Sequence, residues 1–268
     1  MLKTLSFLTL CLLTAFRAQA IEVVDYPIYL GGAQSLKAVI LPLKNDNSKA
    51  LVQVSGVNHA VDRVVFLAEL QNRGQSSVAY RIAYDGQPRT LILKGMNWGN
   101  EYFQVFLPDT GRDGVNVGTV EQSETDPTRE ALVERYGLQN SEGIQKKLAQ
   151  FNRDKHVKNT EAMLSEKDSE ASQACGSTIK TRIDWTSVND ELLKDVSIGA
   201  YCSQVAGEMA RICGYHPQFK ADLAALQTVQ CKFGEVLKLR RQGNEVTFMT
   251  AKDAANQSDF VNAYLRNF

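Results

Sequence analysis

The sequence predicts a two-domain α+β chain, with an N-terminal all-β sandwich or barrel followed by a disulfide-stabilised α+β domain. Three observations carry that expectation. Eight short apolar or alternating runs fill residues 21–120 and are divided by small polar turns. The texture turns helical near Glu121. Beyond the first twenty residues every cysteine lies late in the chain, at Cys175, Cys202, Cys213 and Cys231.

Residues 1–20, "MLKTLSFLTLCLLTAFRAQA", read as an export signal. Lys3 opens it, the apolar run from Leu5 to Phe16 is too short to span a bilayer, and Ala18-Gln19-Ala20 offers a small-x-small cleavage site. Cys11 does not suit a lipoprotein signal, because Leu10 precedes it and the apolar run continues past it. No second long apolar segment follows, so no membrane span is expected. Loss of Lys3 and Arg17 with the signal leaves 28 basic against 30 acidic residues. That balance gives no overall pull toward nucleic acid or anionic lipid. The terminal "DFVNAYLRNF" does not read as the closing strand of an outer-membrane barrel. Phe260, Val261, Tyr264, Leu265 and Phe268 follow helical spacing instead.

The first domain, residues 21–120, takes its strands from "IEVVDYPIYL", "LKAVILPL", "ALVQVSGV", "RVVFLAEL", "SVAYRIAY", "RTLILKG", "EYFQVFLP" and "GVNVGTV". Alternation places Val78, Tyr80, Ile82 and Tyr84 on one face. Sandwich and barrel remain equally compatible with this pattern. Residues 121–174 form a polar helical linker. Asp126 is the expected N-cap of its first helix with Pro127 at the first position. Ile144, Leu148 and Phe151 form a stripe on the next, and the run to Ala174 is almost wholly polar. In residues 175–268, "STIKTRIDW" reads as a strand and "DVSIGAYCSQVAGEMARICG" as one helix. A second helix starts at Pro217, and a strand, a hairpin turning at Gln242-Gly243-Asn244 and a terminal helix complete the order β-α-α-β-β-β-α.

An exported context and an even cysteine count favour disulfides. Zinc wants close ligand pairs, and the spacings of 27, 11 and 18 supply none. In one unbroken helix Cys202 and Cys213 would share a face but stand about 16 Å apart, beyond the ~7 Å that a disulfide tolerates. A break at Gly207 would remove that objection. The first strand leaves Cys175 and the helix returns, which brings Cys213 near the strand start. The chain then rises again and delivers Cys231 beside Cys202. The expected bridges are therefore Cys175–Cys213 and Cys202–Cys231. Ile198, Cys202, Val205, Met209 and Ile212 form the helix's buried stripe.

Motifs for chemistry are sparse. His59, beside Asp62, reads as a loop residue between strands, His156 as part of the linker and His216 as a helix-entry residue. "PDTGRDG" holds Asp109 and Asp113, and lacks both the second copy of an aspartic protease pair and the spacing of a calcium loop, so a turn is favoured. "LKLRRQGN" reads as a solvated sheet face. In "MNWGNEYF", Trp98, Asn100 and Tyr102 are the candidate ligand-binding residues, set against a core role for the tryptophan. No cofactor or metal is expected. These features imply an exported, non-enzymatic binding or interaction protein with a protein, peptide or glycan partner. A periplasmic location fits the compact signal and the single sequon at Asn256, with secretion as the alternative. An envelope or secreted hydrolase with its site at the cleft between the domains is the alternative function.

Overall fold

Eight strands close into an antiparallel barrel in the computed structural model, which describes residues 21–33, 35–74, 76–111 and 113–267. The expected signal, residues 1–20, and Phe268 lie outside the described residues. The chain divides into two compact units, Met1–Tyr84 with Pro88–Ala149 and Asp85–Gln87 with Gln150–Phe268.

The barrel strands are β1 (Ile28–Gly32), β2 (Lys37–Pro42), β3 (Lys49–Ser55), β4 (Val65–Asn72), β5 (Ser77–Tyr84), β6 (Gln87–Asn97), β7 (Asn100–Val105) and β8 (Val115–Thr119). Each strand pairs with the next. The ring closes where β1 meets β8, with Leu30 opposite Thr119, Gly31 opposite Gly118 and Gly32 opposite Val117. A Cβ on Gly32 would stand 2.8 Å from a Val117 methyl, so glycine permits the close approach at this seam. Closure decides the barrel against the sandwich and leaves no open edge.

The alternation predicted for β5 points Tyr80, Ile82 and Tyr84 inward. They meet Ile40, Val52, Val54, Phe66, Phe103 and Val105 in a filled interior. A second apolar patch, Tyr29, Val39, Leu41, Leu51 and Val65, packs with Leu132 of α1 (Arg129–Ser141). The side chains of Gln139 in α1 and Gln145 in α2 (Ile144–Ala149) accept from and donate to the backbone of Val65, at 2.8 and 2.7 Å. The cap of α1 differs from expectation. Thr128 holds that place and accepts from Ala131 N. Asp126 is engaged by Lys37 Nζ at 2.7 Å and by the backbone and hydroxyl of Ser123, so its carboxylate is unavailable as a cap.

The second unit begins with α3 (Arg153–Cys175). It continues through β9 (Lys180–Ile183), α4 (Asp190–Asp195), α5 (Ile198–Cys202), α6 (Gln204–Tyr215) and α7 (Lys220–Ala224). Then come β10 (Thr228–Phe233), β11 (Lys238–Gln242), β12 (Glu245–Thr250) and α8 (Gln257–Leu265). Residues 121–174, read as a polar helical linker, hold α1, α2 and the 23-residue α3; α3 contributes to this unit's core, and the two compact units divide between Ala149 and Gln150, with Asp85–Gln87 also in the second. The inward stripe of α3 is Thr160, Leu164, Asp168, Ala171 and Cys175. The spacing is helical, but small and polar side chains make up most of it, so hydropathy does not reveal it. The predicted single helix is also interrupted. At Ser203 (φ −77°, ψ −6°) α5 ends and α6 begins, and α4 precedes both.

The sheet runs β11-β12-β10-β9, with β9, β10 and β12 parallel and β11 antiparallel to β12. One sheet face, including Val229, Cys231, Val246, Phe248 and Leu239, packs with Ile198, Val205, Met209 and Ile212 in one core. Two bridges fasten that layer. Cys175 is bonded to Cys213, joining α3 to α6, and Cys202 to Cys231, joining α5 to β10, with Cα separations of 5.1 and 5.6 Å. At β9 the outward backbone is capped by α3: Ser172 Oγ accepts from Ile179 N and Asp168 from Thr181 N and Oγ1.

Glu208 of α6 is 7% exposed and accepts from Ser258 and Asn262 of α8 and from Arg211. Burial alone would raise its carboxyl. The bonds from Ser258, Arg211 and Asn262 outweigh burial and hold it below the ordinary glutamate range. A depressed folded pKa means the stabilisation is present above the unfolded value, about 4.3, and disappears as pH falls through the folded one. Denaturant titrations across acidic pH are expected to show a loss of stability that Glu208→Gln largely lacks. Identical slopes for the two proteins would contradict this role. Replacing Cys202 and Cys231 together by serine is expected to cost about 2–4 kcal/mol. A change under about 0.5 kcal/mol in the same titration at neutral pH would show that the bridge does not hold α5 to the sheet.

Candidate binding surface

The β6–β7 hairpin is the most distinctive exposed feature of the barrel unit. Its strands are in register from Ile92 opposite Val105 to Asn97 opposite Asn100, which leaves Trp98 and Gly99 as a two-residue turn. Both have left-handed backbone, with φ of 49° and 81°. Turns with positive φ at both central positions match the twist of hairpin strands and strongly prefer Asn-Gly or Asp-Gly. Trp-Gly is a poor choice for such a turn. A bulky side chain at positive φ costs of order 1–3 kcal/mol. The same tryptophan is 95% exposed and so gains almost nothing from burial. The core role considered for Trp98 is thus excluded by its position.

The hairpin overhangs the barrel wall. β8 pairs with β7 only over Phe103–Val105, so Asn100, Glu101 and Tyr102 have no β8 partner. Local contacts stiffen the projecting part. Tyr102 lies over Gly95, where a Cβ would stand 2.3 Å from the ring, and stays 37% exposed. Lys94 pairs with Glu101 at 2.5 Å and lies 5.7 Å from the Phe103 ring centre. Met96 N donates to Ser76 O at 2.9 Å, and the Met96 side chain is 44% exposed. Asn100 and Tyr102 alternate onto the barrel's outer side, two residues apart, with Trp98 at the tip. The sequence neighbours Trp98, Asn100 and Tyr102 therefore share one exposed ribbon. Tyr102 shares its face of the ribbon with the amides of Asn97 and Asn100, and Met96 lies on the opposite face with Glu101.

The other singled-out residues shape loops or helices. His59 Nδ1 accepts from Val61 N, and Asp62 accepts from Val57 N. Asp109, at φ 65°, accepts from the Tyr84 hydroxyl at 3.0 Å. His216 follows α6 and sets its ring edge against Phe219. Sequence reading missed Asp85 of the second unit, which is buried and accepts from Asn152 N and Lys155 Nζ and meets His156 Nε2 at 2.8 Å. Burial raises this carboxyl, and its donors overcome that to leave it below the ordinary range. Its only sequence signal is the Asp-Gly of a turn. Asp168 is shifted the other way. Burial pushes it above the ordinary range against the two Thr181 bonds. Among the described residues no group of three His, Cys, Asp or Glu is placed to hold a metal ion.

No protein-family model, curated protein or solved structure matches the chain.

If the turn is strained to present an indole, relieving it stabilises the protein. Trp98→Asn, which supplies the Asn-Gly turn, is expected to raise unfolding stability by about 1 kcal/mol, read from chemical denaturation. A fall in stability would mean that the Trp98 side chain contributes to the fold and that the turn is not held against its local preference.

Proposed function

We propose that the protein is an exported, non-enzymatic binding protein that engages a protein partner through the β6–β7 hairpin, with Trp98 as its anchor. The observation that carries this reading is the cost of Trp98. A nearly fully exposed indole sits at a backbone conformation that disfavours it. Tryptophan is enriched among the residues that dominate protein interfaces, where it fills a concave pocket on the partner. A projecting tip suits such a pocket. Sugar and small-molecule sites are generally concave themselves, and the hairpin is convex. Tyr102, held against Gly95, extends the apolar surface on one face of the ribbon, and the amides of Asn97 and Asn100 on that face supply a polar rim. Export is supported by the signal-like N-terminus and by two disulfides, which persist in oxidising compartments. Among the described residues no helix is long and apolar enough to cross a membrane.

The test places a photo-reactive side chain at Asn100 and illuminates the protein in the source cells' exported fraction. The expected result is a dominant adduct to one protein that disappears when Trp98→Asn is added, while the fold stays intact. Adducts unchanged by Trp98→Asn, adducts to glycan alone, or no adduct would each overturn the proposal.

A further inference from the structure

The four-stranded sheet of the second unit has two unlike faces. The face carrying Thr181, Val229, Cys231, Leu239, Val246 and Phe248 is buried. The register fixes what lies on the other. Arg182, Gln230, Thr247 and Arg240 form one row across all four strands. Lys180, Thr228, Glu245 and Gln242 form the next, and Lys232, Met249 and Lys238 form the third. Five of these residues are basic and one is acidic, in a chain whose 30 basic and 30 acidic residues balance. Lys180, Arg182, Lys238 and Arg240 are exposed and Lys232 is half-buried. None of the five is in an ion pair among the described residues. The acids near this face are Glu245 in the second row, Asp184 just beyond β9, which feels the charge of Lys232, Glu235 in the loop after β10, and, along the β9 edge, Asp168 of α3, which feels the charge of Lys180, and Glu161, which lines one cavity with Lys180 and Arg182.

We infer that this open sheet face is an electrostatic docking surface for an anionic lipid bilayer. Strands spaced about 4.8 Å apart and rising about 3.3 Å per residue spread the five cations over an area of one sheet face roughly 14 Å by 13 Å. The breadth of this face, with its charges unpaired among the described residues, selects the occupant. The face presents no aromatic side chain on which single-stranded bases would stack. It also presents no projecting helix or ribbon of the kind that enters a duplex groove. A bilayer is itself flat and attracts basic residues without requiring a pocket. Apart from Glu245, the remaining positions, threonine, glutamine and methionine, carry no charge to oppose close approach. The sequence, read linearly, hides the patch, because its cations come from three separated segments and alternate with core residues along each strand.

Co-sedimentation of the full chain with vesicles tests this. Vesicles of phosphatidylcholine containing about one-third phosphatidylglycerol should bind the protein at low salt and release it at high salt. Vesicles of phosphatidylcholine alone should not bind. Each neutralised cation is worth about a five-fold loss. Arg182→Gln with Arg240→Gln should therefore weaken partitioning by about 25-fold, while Lys146→Gln with Lys147→Gln, on α2 of the barrel unit, should leave it within about two-fold. All four positions are exposed, and unchanged melting curves will show that the variants fold. Equal loss in both double variants, binding to neutral vesicles, or binding to a single-stranded oligonucleotide but not to vesicles would each overturn the inference.

Discussion

Pairing of β1 with β8 is the constraint on which the barrel unit depends. It joins the first and last strands of a simple meander and turns a sheet with two exposed edges into a closed wall. Once closed, alternation along every strand sorts side chains into a filled interior and an outer surface. The outer apolar patch at Tyr29, Val39, Leu41, Leu51 and Val65 then needs a cover, which α1 supplies through Leu132. The wall also fixes the base of the β6–β7 hairpin, because β7 is bonded on both sides from Phe103 to Val105. Only beyond that base does the ribbon project. In the proposed function, this base, bonded on both sides, and its projecting tip present Trp98 to the partner at low entropic cost.

The second unit reaches order by a different route. Its sheet has a free-standing edge at β9, and Ser172 and Asp168 of α3 occupy the donors there. Asp168 holds Thr181 despite the burial that raises its carboxyl, so the edge is protected at an electrostatic cost. The two disulfides hold the helices to each other and to β10, on one side of the sheet only. Because one side supplies the core, the other side is free to carry charge. Core and charged surface are thus two faces of the same four strands.

Elements with strong alternation were legible from sequence: each of the eight barrel strands overlaps the run that predicted it, though β1, β3, β4, β6 and β7 run one or two residues past it, and β10 and the β11–β12 hairpin fall within theirs. Barrel and sandwich could not be separated, because closure depends on a pairing between residues almost ninety positions apart, Leu30 and Thr119. The helical character of α3 was legible, but its place in a core was not, because its inward residues Thr160, Asp168 and Ala171 carry little hydropathy. The kink at Ser203 leaves no proline or glycine at the site to signal it. Trp98 was flagged for its type, but its exposure was not legible, since a tryptophan beside a strand suits a core equally well. Only the register, which puts Trp98 and Gly99 in the turn, separates the two roles.

The central claim is that Trp98 stands in water on a rigid hairpin. The chain has two tryptophans, so replacing Trp185 by phenylalanine leaves Trp98 as the only indole. Steady-state fluorescence of that variant with acrylamide quenching reads its surroundings directly. The account predicts the red-most emission of a hydrated indole, quenched as efficiently as free tryptophan. Blue-shifted emission shielded from acrylamide would show Trp98 packed into the protein and would contradict the account at its root.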